Sequence, residues 1–203
     1  RNAAAMGHST AGGRCFFRPT RGSRSPPVGG GRLADKGVQA VLVQDGQARG
    51  LRLAGQGVVT LGLLVAAGLE HVRDLTERGL GIAEALRQIT FAVSVDDDQF
   101  AGVAKLRALR LMWARVGEQL KAPEAAAAVT HAVTDLAMFS QRDPWVNMLR
   151  STVAAFGAGV GGAEQVTVLT YDAALPGDDR TSSRSFAARI ARNTQLLLLE
   201  ESN

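Results

Sequence analysis

Cysteine is almost missing: Cys15 stands alone in 203 residues, which excludes an internal disulfide and any multi-cysteine metal site. Long apolar runs are missing too. No stretch approaches the roughly 20 residues that span a bilayer, so the chain reads as a soluble, cytoplasmic protein with no membrane partner. Histidine is scarce, and His71 has no His, Cys or carboxylate at ligand spacing, so it reads as an ordinary surface or packing residue. His8 falls in a segment with no apolar period and is given no role. No complete catalytic motif is present, and no catalytic residue is assigned.

Charge of one sign is also lacking over most of the chain. The net charge is +4, but residues 1–36 carry seven basic side chains against Asp35 alone, which leaves −2 for the rest. The high isoelectric point therefore does not come from a basic patch on a folded domain, and nucleic acid is not expected as a partner. Residues 1–36 are rich in Gly, Ser, Arg and Pro without a periodic apolar face, so they are expected to be a disordered basic extension. Arg- and Ser-rich composition is shared by organelle transit peptides and nucleic-acid-binding tails, which remain alternatives for this stretch.

What is present downstream is an alternation of strand and helix patterns over residues 37–203. Val38 to Val43 alternates as a strand, Gln44 to Gly46 offers a turn, and a second short run lies near Leu51 to Leu53. Val58 to Arg78 has helical spacing, stopped by Gly79. Ile82 to Gln88 reads as a short helix and Ile89 to Val95 as a strand. Asp96, Asp97 and Asp98 then cap a helix with a buried row of Val103, Leu106, Leu109, Trp113, Val116 and Leu120. The three carboxylates are not read as a metal site, because adjacent positions diverge around a helix and the EF-hand alternation is absent. Arg110, on the border of that row, is expected to lay its stem along apolar surface and free its head. Val129 to Phe139 is read as a strand and its outgoing loop.

Residues 143–175 are the most informative. Asp143 can cap a helix with Pro144 at its first position, and Val146, Leu149, Val153, Phe156 and Val160 recur at steps of three and four. That row is expected to face the core. Gly161 and Gly162 end the helix, and Val166 to Thr170 is a β-branched run without polar alternation, as in a parallel strand buried on both faces. A last helix starts near Ser182 or Ser183 with Phe186, Ile190, Asn193 and Leu197 on one face, and Leu196 to Leu199 is apolar all round.

Four blocks, RDPWVNMLR, GGAEQVTVL, YDAALP and RIARNTQLLLLEES, resemble in order the acyl-CoA-binding barrel of the adenosylcobalamin-dependent acyl-CoA mutases, above all methylmalonyl-CoA mutase. The resemblance runs from about Gly57 to Asn203 and implies a partial (β/α)8 barrel of consecutive βα units with parallel strands. It implies radical isomerisation of methylmalonyl-CoA and succinyl-CoA, with active residues at the carboxyl ends of the strands. No counterpart of the family's cobalt-ligating His motif occurs, so the cofactor-binding domain is expected to be absent from this chain.

Departures from the catalytic pattern then decide the expected role. The catalytic stretch His-Cys-Gln-Thr-Ser-Gly corresponds to His131, Ala132, Val133, Thr134, Asp135 and Leu136, so the glutamine is Val133. The pattern His-Thr-Asn-Ser-Phe-Asp, aligned on Asp172, puts Thr167 at the histidine that bonds the substrate thioester and Leu169 at the asparagine. Losing a donor aimed at developing charge costs about 2.7 to 4 kcal/mol of transition-state stabilisation. The chain therefore resembles the small, non-catalytic mutase subunit, which pairs with a catalytic large subunit. Arg150 matches a substrate-contacting arginine in the pattern NNxxR, with Asn147 also matching, and is the single candidate substrate-binding residue; its place at the edge of the apolar row also fits a solvent-facing or interface arginine. The alternatives are a catalytic subunit of a related mutase such as isobutyryl-CoA mutase, or a non-enzymatic interaction scaffold. A free sheet edge and uncovered leucines are expected near Asn203.

Overall fold

The computed structural model describes residues 14–16, 41–44, 56–175 and 183–201, with side chains from residue 60 onward. Its elements in chain order are β1 (Arg14–Phe16), β2 (Val41–Gln44), α1 (Gln56–Glu77), α2 (Ile82–Leu86), β3 (Ile89–Val95), α3 (Gln99–Gln119), β4 (Val129–Thr134), α4 (Val146–Gly161), β5 (Gln165–Thr167) and α5 (Arg184–Glu201). The sheet order is β1-β5-β4-β3-β2, and the pairs β2–β3, β3–β4 and β4–β5 are parallel. Each parallel strand lies beside its successor in sequence, with helix between, which is the arrangement of consecutive βα units in a barrel wall. No helix of the described residues is long and apolar enough to cross a membrane.

The core lies between the sheet and its helices. Alternate residues of β3, Ile89, Phe91, Val93 and Val95, are buried, and Phe91 meets Trp113 of α3 edge-on with centroids 4.9 Å apart. Leu106, Leu109 and Trp113 are fully buried as their spacing predicts, while Val103, Val116 and Leu120 are half-buried. Gly79 (φ +92°) ends α1 and Gly162 (φ +88°) ends α4 in the left-handed region, where glycine avoids the Cβ penalty.

Two helices turn differently from the expectation. In α4 the buried face is Asn147, Ser151, Ala154, Ala155, Gly157, Ala158 and Gly161, whereas Leu149 is 65% exposed and Phe156 and Val160 are also exposed. Small side chains win the inner face because α4 sits close to α3: a Cβ on Gly161 would lie 2.7 Å from Leu106 Cδ1. In α5 the buried residues are Ala187, Ala191 and Gln195, and Leu197 is 59% exposed. The same preference for small contact residues puts Leu196 and Leu197 outside rather than burying them from several sides.

Smaller differences concern boundaries. Helix α4 begins at Val146, after a tight turn in which Asn147 N–H bonds Pro144 O, and β5 spans Gln165–Thr167 rather than Val166 to Thr170. The β-branched run continues past the paired strand, and Thr134 Oγ1 accepts the Leu169 N–H at 2.8 Å where the ladder stops. Within the stretch expected to be disordered, Arg14–Phe16 lies antiparallel along β5 and so covers the edge that was expected to be free. The turn at 44–46, except Gln44, the run near Leu51 to Leu53 and Ser182 lie outside the described residues.

Candidate functional site at the carboxyl ends of the strands

The loops leaving β3, β4 and β5 meet at one rim. After β3, Asp98 Oδ1 accepts the Ala101 N–H at 3.0 Å and Asp96 Oδ1 accepts the Asp98 N–H at 3.1 Å, so two of the three carboxylates cap the start of α3. Asp97 instead faces Arg150, with Oδ2 3.7 Å from Nε. After β4, Asp135 N–H bonds Val95 O at 2.8 Å and Asp135 Oδ1 accepts the Ala137 N–H at 2.9 Å. Asp143 Oδ1 accepts the Trp145 N–H at 3.1 Å, so it caps the turn ahead of α4.

Helix α4 stitches these loops together. Asn147 is fully buried; its Oδ1 accepts the Ser140 N–H, and its Nδ2 donates to Ser140 O and Tyr171 O, all within 2.9 Å. Its amide is thus committed to the loops after β4 and β5. Arg150 donates through Nη1 to Met138 O, with its side chain 36% exposed. The candidate substrate arginine therefore bridges the β3 and β4 loops with its side chain partly exposed. Trp145 stacks on Tyr171 with centroids 5.0 Å apart. Asp172 is fully buried, and neither carboxylate oxygen meets a hydrogen-bond donor among the described residues.

On the sheet face away from the buried β3 row, Val133 and Thr167 are register partners in adjacent strands. His131 Nε2 lies 2.8 Å from Thr167 Oγ1. Val133 offers no polar atom and the Thr167 hydroxyl lies against His131, so neither position carries the glutamine or histidine that the catalytic pattern has there. His71 is exposed on α1, away from this face. Among the described residues no group of three or more His, Cys, Asp or Glu could hold a metal ion.

Sequence reasoning missed the opposite rim. Arg110 does not free its head: Nη1 donates to Gly161 O at 2.8 Å, and Nη2 reaches Gly162 O and Glu164 Oε1. Glu164 Oε2 accepts both Thr130 N–H and Thr130 Oγ–H, at 2.7 and 2.8 Å. This clamp joins α3, the end of α4, β4 and β5 at the amino ends of the strands, where barrels place stability rather than chemistry. The signal available in sequence was Glu164 directly after the helix-ending glycines, opposite an arginine on a buried border.

The methylmalonyl-CoA mutase family model matches residues 50–203. The chain is 54% identical over 169 residues to the probable methylmalonyl-CoA mutase small subunit of Mycobacterium tuberculosis (strain ATCC 25618 / H37Rv), covering 83% of this chain and 27% of that protein. It is 52% identical over 143 residues to the methylmalonyl-CoA mutase small subunit of Streptomyces virginiae (70% and 22%). It is 44% identical over 154 residues to that of Propionibacterium freudenreichii subsp. shermanii (74% and 23%). The chain spans about a quarter of the length of these relatives. With four parallel strands in sequential order and a family match over most of its length, the chain belongs to the methylmalonyl-CoA mutase family.

Proposed function

We propose that this chain is the barrel wall of a methylmalonyl-CoA mutase small subunit, non-catalytic in itself, that pairs in the cytoplasm with a large subunit performing the isomerisation. Residues 37–203 are the barrel part, preceded by the basic extension of residues 1–36, of which Arg14–Phe16 pairs along β5. The observation that carries this reading is the Val133–Thr167 pair: two neighbouring interior positions hold a valine and an already bonded threonine, where a catalytic barrel needs a glutamine and a histidine. The similarity to three proteins named as small subunits supports it.

Adenosylcobalamin, the family's cofactor, supplies the radical when bound. The described histidines do not fit the role of a cobalt ligand: His71 is exposed on α1 and His131 is bonded within the sheet. The cofactor therefore belongs to the partner or to a separate domain. Arg150 is the one residue here proposed to approach an acyl-CoA in the assembled enzyme, its partly exposed side chain standing at the strand ends. Mutase assays of the chain alone, of a large subunit, and of the two together test the reading. The expected result is turnover only where the large subunit is present; turnover by the chain alone overturns it.

A further inference from the structure

The parallel strands advance one step per βα unit: β3, α3, β4, then α4, β5, each strand landing on the same side of the one before. The ladder beyond β5 breaks this succession. Arg14–Phe16 runs antiparallel along the outer edge of β5, with Arg14 opposite Thr167, Cys15 opposite Val166 and Phe16 opposite Gln165. Helix α5 follows β5, packs beside α4 and also touches β1. A strand, a crossover helix and a parallel strand connect right-handedly in almost every case, so the strand that follows α5 in barrel succession belongs beside β5. That is the place β1 holds.

The edge is a main-chain binding site by its geometry. The Glu164 N–H donates to Thr130 O of β4, and successive amides of a strand alternate sides, so Val166 turns toward β4 while Gln165 and Thr167 turn toward β1. Left bare, such groups pair with any extended chain that reaches them, and a short covering strand is a common protection. β1 offers three residues, against four to seven in β2, β3 and β4, and it comes from a segment with no periodic apolar face of its own. It is joined to β2 only across residues 17–40, whereas a strand following α5 needs a short loop and loses less closure entropy.

We infer that Arg14–Phe16 is an exchangeable cap on a strand-acceptor edge, held antiparallel against β5 until a parallel strand, the one that follows α5 in barrel succession, replaces it. The ligand of this edge is therefore an extended polypeptide bound through its main chain. The inference concerns the order of strands in the wall and stands apart from the non-catalytic reading.

Hydrogen exchange followed by NMR tests it in three proteins: the full chain, its Arg14→Pro/Phe16→Pro variant, and the full chain lengthened beyond Asn203 by the next βα unit of the Streptomyces virginiae small subunit. Circular dichroism establishes folding. In the full chain the amides of Arg14, Phe16, Gln165 and Thr167 are expected to exchange slowly. The proline variant is expected to speed exchange at Gln165 and Thr167 by at least about tenfold while Val166, turned toward β4, keeps its rate. In the lengthened chain Arg14 and Phe16 are expected to speed up by a similar factor while Gln165 and Thr167 stay slow. Arg14 and Phe16 that stay slow in the lengthened chain overturn the exchange, and free exchange of Gln165 and Thr167 in the unaltered chain overturns the cap. If the lengthened chain does not fold, a synthetic peptide of the added strand is titrated into the proline variant. Renewed protection of Gln165 and Thr167 then supports the acceptor edge, and unchanged exchange overturns it. A proline variant that dimerises with Gln165 and Thr167 still slow assigns the edge to a second copy and overturns the barrel strand as its occupant.

Discussion

Val133 on β4 stands directly beside Thr167 on β5, in register, and the threonine hydroxyl is held by His131 from two residues below Val133. On the non-catalytic reading proposed above, chemistry in the assembled enzyme does not pass through these two positions. Val133→Ala and Thr167→Val in the complex with the large subunit are expected to leave kcat within about twofold, whereas loss of a working oxyanion donor costs on the order of 100-fold. Steady-state turnover of the reconstituted complex checks this.

The amino-end clamp carries stability. Arg110→Ala removes bonds to Gly161 O, Gly162 O and Glu164, and leaves Glu164 with only Thr130. A loss of about 2 kcal/mol is expected, in the range for hydrogen bonds to charged groups. Arg110→Lys is expected to recover less than half of it, since an ammonium cannot reproduce the guanidinium fork. Urea unfolding of the three proteins measures both.

Close packing of α4 on α3 makes Gly161 sensitive. A methyl group there would lie 2.7 Å from Leu106 Cδ1 and 3.2 Å from Leu106 Cβ. Gly161→Ala is expected to cost about 1 to 3 kcal/mol through overpacking, and Leu106→Val in the same chain is expected to return part of it. A thermal double-mutant cycle shows the coupling.

The three carboxylates at the start of α3 are predicted to be unequal. Asp98→Ala removes the side-chain acceptor of the Ala101 N–H and is expected to cost about 1 kcal/mol. Asp97→Ala leaves the cap intact and is expected to cost under about 0.5 kcal/mol, because its partner Arg150 is 3.7 Å away and both are part-exposed. Denaturant midpoints of the two variants compare them.

Much of the fold was legible because periodicity and punctuation agree. Strand β3 matches its expected limits, and the glycines at 79 and 162 stop their helices by left-handed geometry that few other residues accept. The inner faces of α4 and α5 were not legible. A stripe of Val, Leu and Phe at helical spacing says that a face is apolar, not which way it points. Where two helices meet at glycine and alanine, the small residues are the contact and the large ones are left outside. At the candidate site the sequence identified Arg150 and the two altered interior positions, but not the tie of Arg150 to Met138, the bond between His131 and Thr167, or the buried Asp172. Each of these depends on residues 12 or more positions apart, or on loop conformation, and no local pattern encodes them.

The Thr134 hydroxyl, by taking the Leu169 amide, lets the chain leave the sheet without stranding a backbone donor. Everything from Thr170 onward is thereby uncoupled from the strand ladder. Changes at Ala173 to Leu175, past the buried Tyr171 and Asp172, can alter what the rim meets while the wall beneath stays zipped.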